Sequence, residues 1–216
     1  MSKREDKKLK ILQAAEQAYV EEGSNFSLRT ITQIAKVNVA AVNYYFGSKT
    51  NLMELMAERI IGQLNAEQLS NLATLKKRNN PISVEDVVKS FAEPFFHLNI
   101  GSEKEKVKKS KMLGLLLIDT NAEIRSVFYK KTQIVDSEYM EILKNLLPLL
   151  STQELCWRYK HMIGLIINNI GGFIPLGTNN NISNDEVDNK IVLEWIVTYI
   201  TAALLAPPSS HNSIHS

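Results

Sequence analysis

The chain has 216 residues, 44% of them hydrophobic and 22% charged, with a formal net charge of +2. These are figures of an ordinary globular protein that can bury a core as one large domain or two small ones. Its one cysteine, Cys156, excludes a disulfide framework and a cysteine-based zinc site. No apolar run approaches the roughly 18 residues of a membrane span, and the start lacks the apolar core of a secretory signal, so a reducing cytoplasm is the expected location.

Glycines and prolines number 9 and 6 and fall mostly between periodic segments, so an all-α fold of about nine helices is predicted. A first helix runs from about Lys3 to Glu22, with Leu9, Leu12, Ala15 and Tyr19 on one face and Gly23 closing it. Its start crowds Lys3, Arg4, Lys7, Lys8 and Lys10, and residues 1–50 hold eight Lys/Arg against five Asp/Glu. Such an arm can meet phosphates or be plain solvated surface. Ser27 caps a short helix, about Leu28 to Ala35, Lys36-Val37-Asn38 turns the chain, and Asn38 caps a third helix through Tyr45. Phe46-Gly47-Ser48 ends that helix, and Ser48 caps a fourth reaching to about Leu75 before Asn79-Asn80-Pro81.

Ser83-Val84-Glu85-Asp86 is a capping pattern leading into Phe91, Phe95 and Phe96. Pro94 should kink or end that helix. Residues 101–109 are charged and read as a loop or one short turn, followed by helices at about Ser110–Asp119 and Glu123–Leu147. Ser151-x-x-Glu154 opens a helix to Ile170, residues 171–183 form a surface connection, and Ser183-x-x-Glu186 opens a last helix to about Leu205. The expected division is a helix-turn-helix domain over 1–52 (the motif at about 27–47), a helical regulatory and dimerisation domain over 53–205, and a disordered tail over 206–216.

The segment from Ser27 to Lys49 carries the chemistry. A helix entering a major groove about 12 Å wide should lead with small or hydrogen-bonding side chains, and Val39-Ala40-Ala41-Val42-Asn43-Tyr44-Tyr45 does so. Ala40 and Ala41 allow close approach and can touch a thymine methyl. Asn43 can read an adenine edge, and Tyr44 and Tyr45 can reach phosphates or bases. Arg29 and Thr30 are placed for the backbone across the groove, Asn38 stands at the leading end, and Lys49 stands at a helix N-terminus that favours phosphate. The competing reading makes these residues the core of a small helical domain. It suits Ile31, Ile34, Val37, Val42 and Phe46, and leaves an Ala-Ala surface followed by Asn and two tyrosines unexplained.

These residues resemble the DNA-binding domain of the TetR family of bacterial transcriptional regulators. The family's Ile-x-x-x-Ala-Gly-Val-Ser, then a short helix ending in aromatic-Phe, a small residue, Ser and Lys, is matched here by Ile31, Ala35, Val37 and Asn38, then Tyr45-Phe46-Gly47-Ser48-Lys49. Lys36 stands where Gly is usual and Asn43 where Tyr is frequent. Residues 65–69, 121–128 and 155–159 are similar to the C-terminal domain of one branch, some of whose members answer to fatty acids or their CoA esters. The resemblance implies a homodimer that binds a palindromic operator, a helical ligand chamber, and dimerisation through the last two long helices.

Candidates for that chamber are Phe91, Phe95, Met112, Leu116, Phe128, Tyr129, Ile167, Asn168 and Phe173, although an apolar chamber and an ordinary core share one composition. Arg125, Arg158, His161 and Asn169 are polar residues that could meet an acidic head group. The dimer face is expected on Leu155, Tyr159, Met162 and Ile166 of one helix and Ile191, Trp195 and Tyr199 of the next, two broad apolar stripes that a four-helix bundle would bury. The lysines at 104, 106, 108, 109 and 111 read as a solvated face or a second DNA contact. Cys156 and His161 lie on different helix faces, and His211 and His215 lie in a Pro/Ser tail, so no metal site is expected, nor any cofactor, membrane partner or enzymatic activity. The expected function is a ligand-responsive transcriptional regulator, more often a repressor, with double-stranded DNA and a small, perhaps acyl, effector as partners. The alternatives are a ligand-independent helical DNA-binding regulator and a helical small-molecule or lipid-binding protein.

Overall fold

The computed structural model describes residues 3–97, 103–171 and 187–209. Among them every regular element is helical. Helix α1 spans Lys3–Glu22 and is followed by a 3₁₀ turn, Gly23–Asn25; α2 is Leu28–Ala35, α3 Val39–Phe46 and α4 Lys49–Ala57. A π-helical turn, Glu58–Gly62, carries α4 without a break into α5, Gln63–Lys76. The rest are α6 (Val84–His97), α7 (Glu103–Ile118), α8 (Ala122–Leu146), α9 (Thr152–Gly171) and α10 (Asn189–Leu205). With 49–76 counted as one helix, the described residues form nine, and the all-α fold is the one the sequence predicts.

Two expectations about helix extent are corrected. Residues 103–109 belong to α7 rather than to a loop: Glu and Lys are good helix formers however polar the stretch, and an acidic start suits the helix dipole. Pro94 lies inside α6 without ending it. Proline cannot donate to the carbonyl four residues back, which is that of Ser90. Here Asn71 Nδ2 donates to the Ser90 carbonyl at 3.4 Å, and Gln68 Nε2 donates to the neighbouring Phe91 carbonyl at 3.0 Å. The capping box at the start of α6 is complete, with the Asp86 amide donating to Ser83 Oγ (3.1 Å) and the Ser83 amide to Asp86 Oδ2 (3.0 Å). Helix α10 opens at Asp188, which accepts from the Lys190 amide at 2.9 Å. The expected cap at Ser183, the connection over 172–183 and most of the tail lie outside the described residues.

The chain divides into two compact units, one of residues 1–63 with 99–133, the other of 64–98 with 134–216. Residues 99–133, assigned to the regulatory segment on sequence grounds, thus cluster with the N-terminal helices. In the first unit α1 packs on α2, α4 and α7, and α3 is held between α2 and α4. Its core includes Ile11, Ala15, Tyr19, Phe26, Ile31, Val42, Phe46, Leu52 and Met56, with Met112, Leu116 and Ile124 from the later segment. In the second unit α6 packs on α9 and α10. There the Phe91 ring lies 5.0 Å from Tyr139 and 5.7 Å from Tyr159. The Tyr139 hydroxyl donates to the Gln68 carbonyl at 3.0 Å, so this buried polar cluster is satisfied internally.

Candidate nucleic-acid interface

Three side-chain caps, each bonded to the amide three residues on, place the helix-turn-helix. Ser27 Oγ accepts from the Thr30 amide (3.1 Å), Asn38 Oδ1 from Ala41 (2.8 Å) and Ser48 Oγ from Asn51 (3.1 Å). Each oxygen satisfies one of the amides that a helix start leaves unpaired. Between α2 and α3 the chain reverses at Lys36, which is left-handed (φ 51, ψ 50), while the Val37 amide donates to the Thr32 carbonyl at 3.1 Å. A non-glycine residue there costs about 1 kcal/mol, which glycine would avoid. At the other end of α3, Gly47 has φ 71 and donates to the Asn43 carbonyl at 2.8 Å, ending the helix where a side chain would be strained.

With α3 fixed in this way, Val42 and Phe46 point into the core beside Ile31 and Ala35. Val39, Ala40, Asn43 and Tyr44 point outward, Tyr44 being 71% exposed, and Ala41 and Tyr45 are half-buried at the border. Tyr45 meets Tyr44 edge-on at 5.1 Å. No residue of α3 is charged. Arg29, on the first turn of α2, is exposed. The Thr30 hydroxyl is engaged locally, 3.0 Å from Ser27 Oγ and donating to Glu22 at 3.3 Å. Lys49 turns inward: its ammonium donates to the Ser24 carbonyl at 2.9 Å and lies 4.3 Å from the centre of the Phe26 ring. It ties α4 to the turn after α1, a cation–π and hydrogen-bond role that spacing alone does not reveal.

Residues 11–56 match the family described as bacterial regulatory proteins, tetR family, and residues 89–203 match the tetracyclin repressor-like C-terminal domain. The chain belongs to the TetR family. TetR-family regulators are non-enzymatic DNA-binding proteins. Comparison with curated protein sequences finds no match. Among solved structures the chain is similar to HlyIIR, a haemolysin II transcriptional regulator, at 19% identity over 93% of this chain and 97% of that one, with a TM-score of 0.62. It is similar to the fatty acid degradation regulator FadR from Bacillus halodurans at 17% identity over 90% and 94%, with a TM-score of 0.59. A third is a TetR-family regulator from Mesorhizobium loti, at 18% identity over 95% and 98%, with a TM-score of 0.53.

Of the dimer face expected from periodicity, the α10 residues Ile191, Trp195 and Tyr199 are exposed, whereas the α9 residues are not. Leu155, Tyr159, Met162 and Ile166 are buried within the chain's own second unit, where α9 faces α6, and Tyr159 donates to Asp136 Oδ1 at 3.0 Å. A 3.6-residue period groups the residues that share a face, but it does not say which of two apolar faces meets the chain's own core. The outward face of the pair is built from Trp157 on α9 and Ile191, Trp195 and Tyr199 on α10, the last two 58% and 64% exposed. His161 stacks on Trp157 with ring centres 3.9 Å apart. A groove of about 880 Å³ runs between α9 and α10 on this side, lined by Trp157, His161, Leu165, Asn168, Tyr199 and Ala203 among others.

Of the candidate chamber residues, Phe91, Phe95 and Ile167 are buried in the second unit; Met112 and Leu116 are buried in the first, where Phe128 is half-buried and Tyr129 is 66% exposed. Asn168 lines the α9–α10 groove rather than the surroundings of Phe91, and its Oδ1 is buried with no hydrogen-bond partner among the described residues. Phe173 lies outside them. Arg158 is an internal clasp, not a head-group receptor. Its guanidinium pairs with Glu154 at 2.7 Å and donates to the carbonyls of Ala203, Leu204, Ala206 and Pro207, neutralising the C-terminal end of α10. His161 and Asn169 bond back to their own helix, at the carbonyls of Trp157 and Leu165. Lys108 is not solvated surface: it pairs with Glu16 at 3.2 Å, as does Arg59. The described residues hold no cluster of His, Cys, Asp or Glu suited to a metal, and no helix among them is long and apolar enough to cross a membrane.

Proposed function

We propose that the chain is a cytoplasmic, ligand-controlled transcriptional repressor that binds a palindromic operator as a homodimer. The observation that carries this reading is the uncharged outward face of α3. Its small residues, Val39 and Ala40, allow close approach, and Asn43 and Tyr44 offer hydrogen-bonding reach. In this reading Ala40 and Ala41 contact thymine methyls, Asn43 pairs with an adenine edge, Tyr44 and Tyr45 reach backbone and bases, and Arg29 and Thr30 hold the phosphates across the groove. Asn38 acts at the leading end through the helix start it caps. Lys49 serves by anchoring α4 rather than by meeting a phosphate.

The second copy covers Trp157, Ile191, Trp195 and Tyr199, large apolar side chains that a lone chain would leave in water. Half-sites then lie about 34–36 Å apart, or a multiple of that. The effector is a small apolar molecule of acyl type. FadR, named for fatty acid degradation, shares this fold and supports that class. The chain changes unit within the continuous helix 49–76 and again within α8, so an effector favouring one arrangement would shift the spacing of the two α3 helices. Only its differential affinity for the two arrangements can release the operator.

Fluorescence anisotropy with mixed-sequence duplexes tests the core of the proposal. Binding that weakens steeply as salt rises supports it; weak association indifferent to salt would leave α3 as a packing module.

A further inference from the structure

We infer that the first two turns of α1 form a rigid second contact to duplex DNA, with Arg4 as the residue that positions it. Helix α1 begins at Lys3, yet its first fully buried residue is Ile11. Residues 3–8 are all exposed and Leu9 is the first to be partly covered, so six helical residues, about 9 Å of helix, stand clear of the core while being continuous with the part that packs on α2 and α4. This projection carries Lys3, Arg4, Lys7 and Lys8 against Glu5 and Asp6. Cations at a helix N-terminus oppose the macrodipole, so they do not serve the helix itself.

The Arg4 guanidinium lies 5.9 Å from the centre of the Tyr44 ring. Tyr44 is the most exposed aromatic of α3 and sits on the face assigned to the groove. The pair joins the projection to α3 through a cation–π contact, which leaves the guanidinium edge able to bond a phosphate bidentately. The expected contact is to the sugar–phosphate backbone flanking the groove that α3 enters, adding affinity without base information. The inference rests on the duplex-binding reading of α3.

The test uses the full chain and a duplex selected by the wild-type protein from a random-sequence pool, with affinity measured over a salt series. Arg4→Ala is expected to weaken binding about five- to tenfold and to flatten the salt slope by about one per chain. Arg4→Lys should restore the slope, and the losses from Arg4→Ala and Tyr44→Leu should overlap in the double variant. Wild-type binding with unchanged affinity and slope in Arg4→Ala would overturn the inference while leaving the α3 reading intact. A wild-type chain that selects no duplex would remove both.

Discussion

The Tyr19 hydroxyl donates to Asp119 Oδ2 at 2.8 Å, joining the buried face of α1 to the corner between α7 and α8. That corner is itself organised by side chains. Asp119 Oδ1 accepts from the Asn121 amide, and Asn121 Oδ1 caps α8 at Glu123 and Ile124. Glu123 in turn accepts from Thr50, two residues after the cap that follows α3, at 3.2 Å. A displacement of the corner thus meets the helix-turn-helix at both α1 and α4. Tyr19→Phe keeps the packing and deletes the bond, and is expected to cost roughly 1–2 kcal/mol in denaturant unfolding. Equal stability would show that the bond does not hold the corner.

Burial, then the hydrogen bond and negative charge of Asp119, pushes Tyr19 far above the ordinary phenol range. Burial raises Tyr139 to about 12, with the Ser90 hydrogen bond partly offsetting it, and raises Tyr159 well above its usual value, reinforced by Asp136. A raised folded-state pKa leaves stability intact below the unfolded value near 10 and removes it as pH climbs through the folded value. Unfolding free energy should therefore be flat in these groups up to about pH 10 and fall steeply above it. Ultraviolet titration should show three of the seven tyrosines ionising only as the fold is lost.

Lys36 occupies a left-handed turn position with φ 51. Lys36→Gly should stabilise the helix-turn-helix by up to about 1 kcal/mol, less the added freedom glycine gives the unfolded chain. A destabilisation beyond about 1 kcal/mol, read from the thermal midpoint, would show that the lysine side chain contributes more than the strained backbone costs.

Local grammar was the legible part of this chain. Ser27, Asn38, Ser48, Ser83 and Ser151 all stand where polar caps are expected, and all accept the bond that opens a helix. What α3 shows to solvent also follows from its own residues. The illegible parts depend on partners distant in sequence. Pro94 sits inside α6 with Asn71, on α5, donating to the Ser90 carbonyl that the proline leaves without its helical donor. Lys49 faces inward because Ser24 and Phe26 await it, and Arg158 is absorbed by carbonyls about 45 residues on. The α9 stripe of Leu155, Tyr159, Met162 and Ile166 is taken up by the chain's own core, where α9 packs on α6, a use that the period of the stripe does not disclose.

Trp195→Asp places a charge in the middle of the outward α9–α10 face and should convert the dimer to a single chain in light scattering, with helicity retained. A mass unchanged from wild type would discard the proposed interface.

Whether α3 reads base edges is tested most directly by selecting duplexes from a random pool with the wild-type chain and with Asn43→Ala. The wild type should enrich a two-fold palindrome. The variant should recover the same sequence with preference lost at one symmetric position, where discrimination falls by about 1–3 kcal/mol. An identical motif from both proteins, or no enrichment by the wild type, would contradict the placement of Asn43 against DNA.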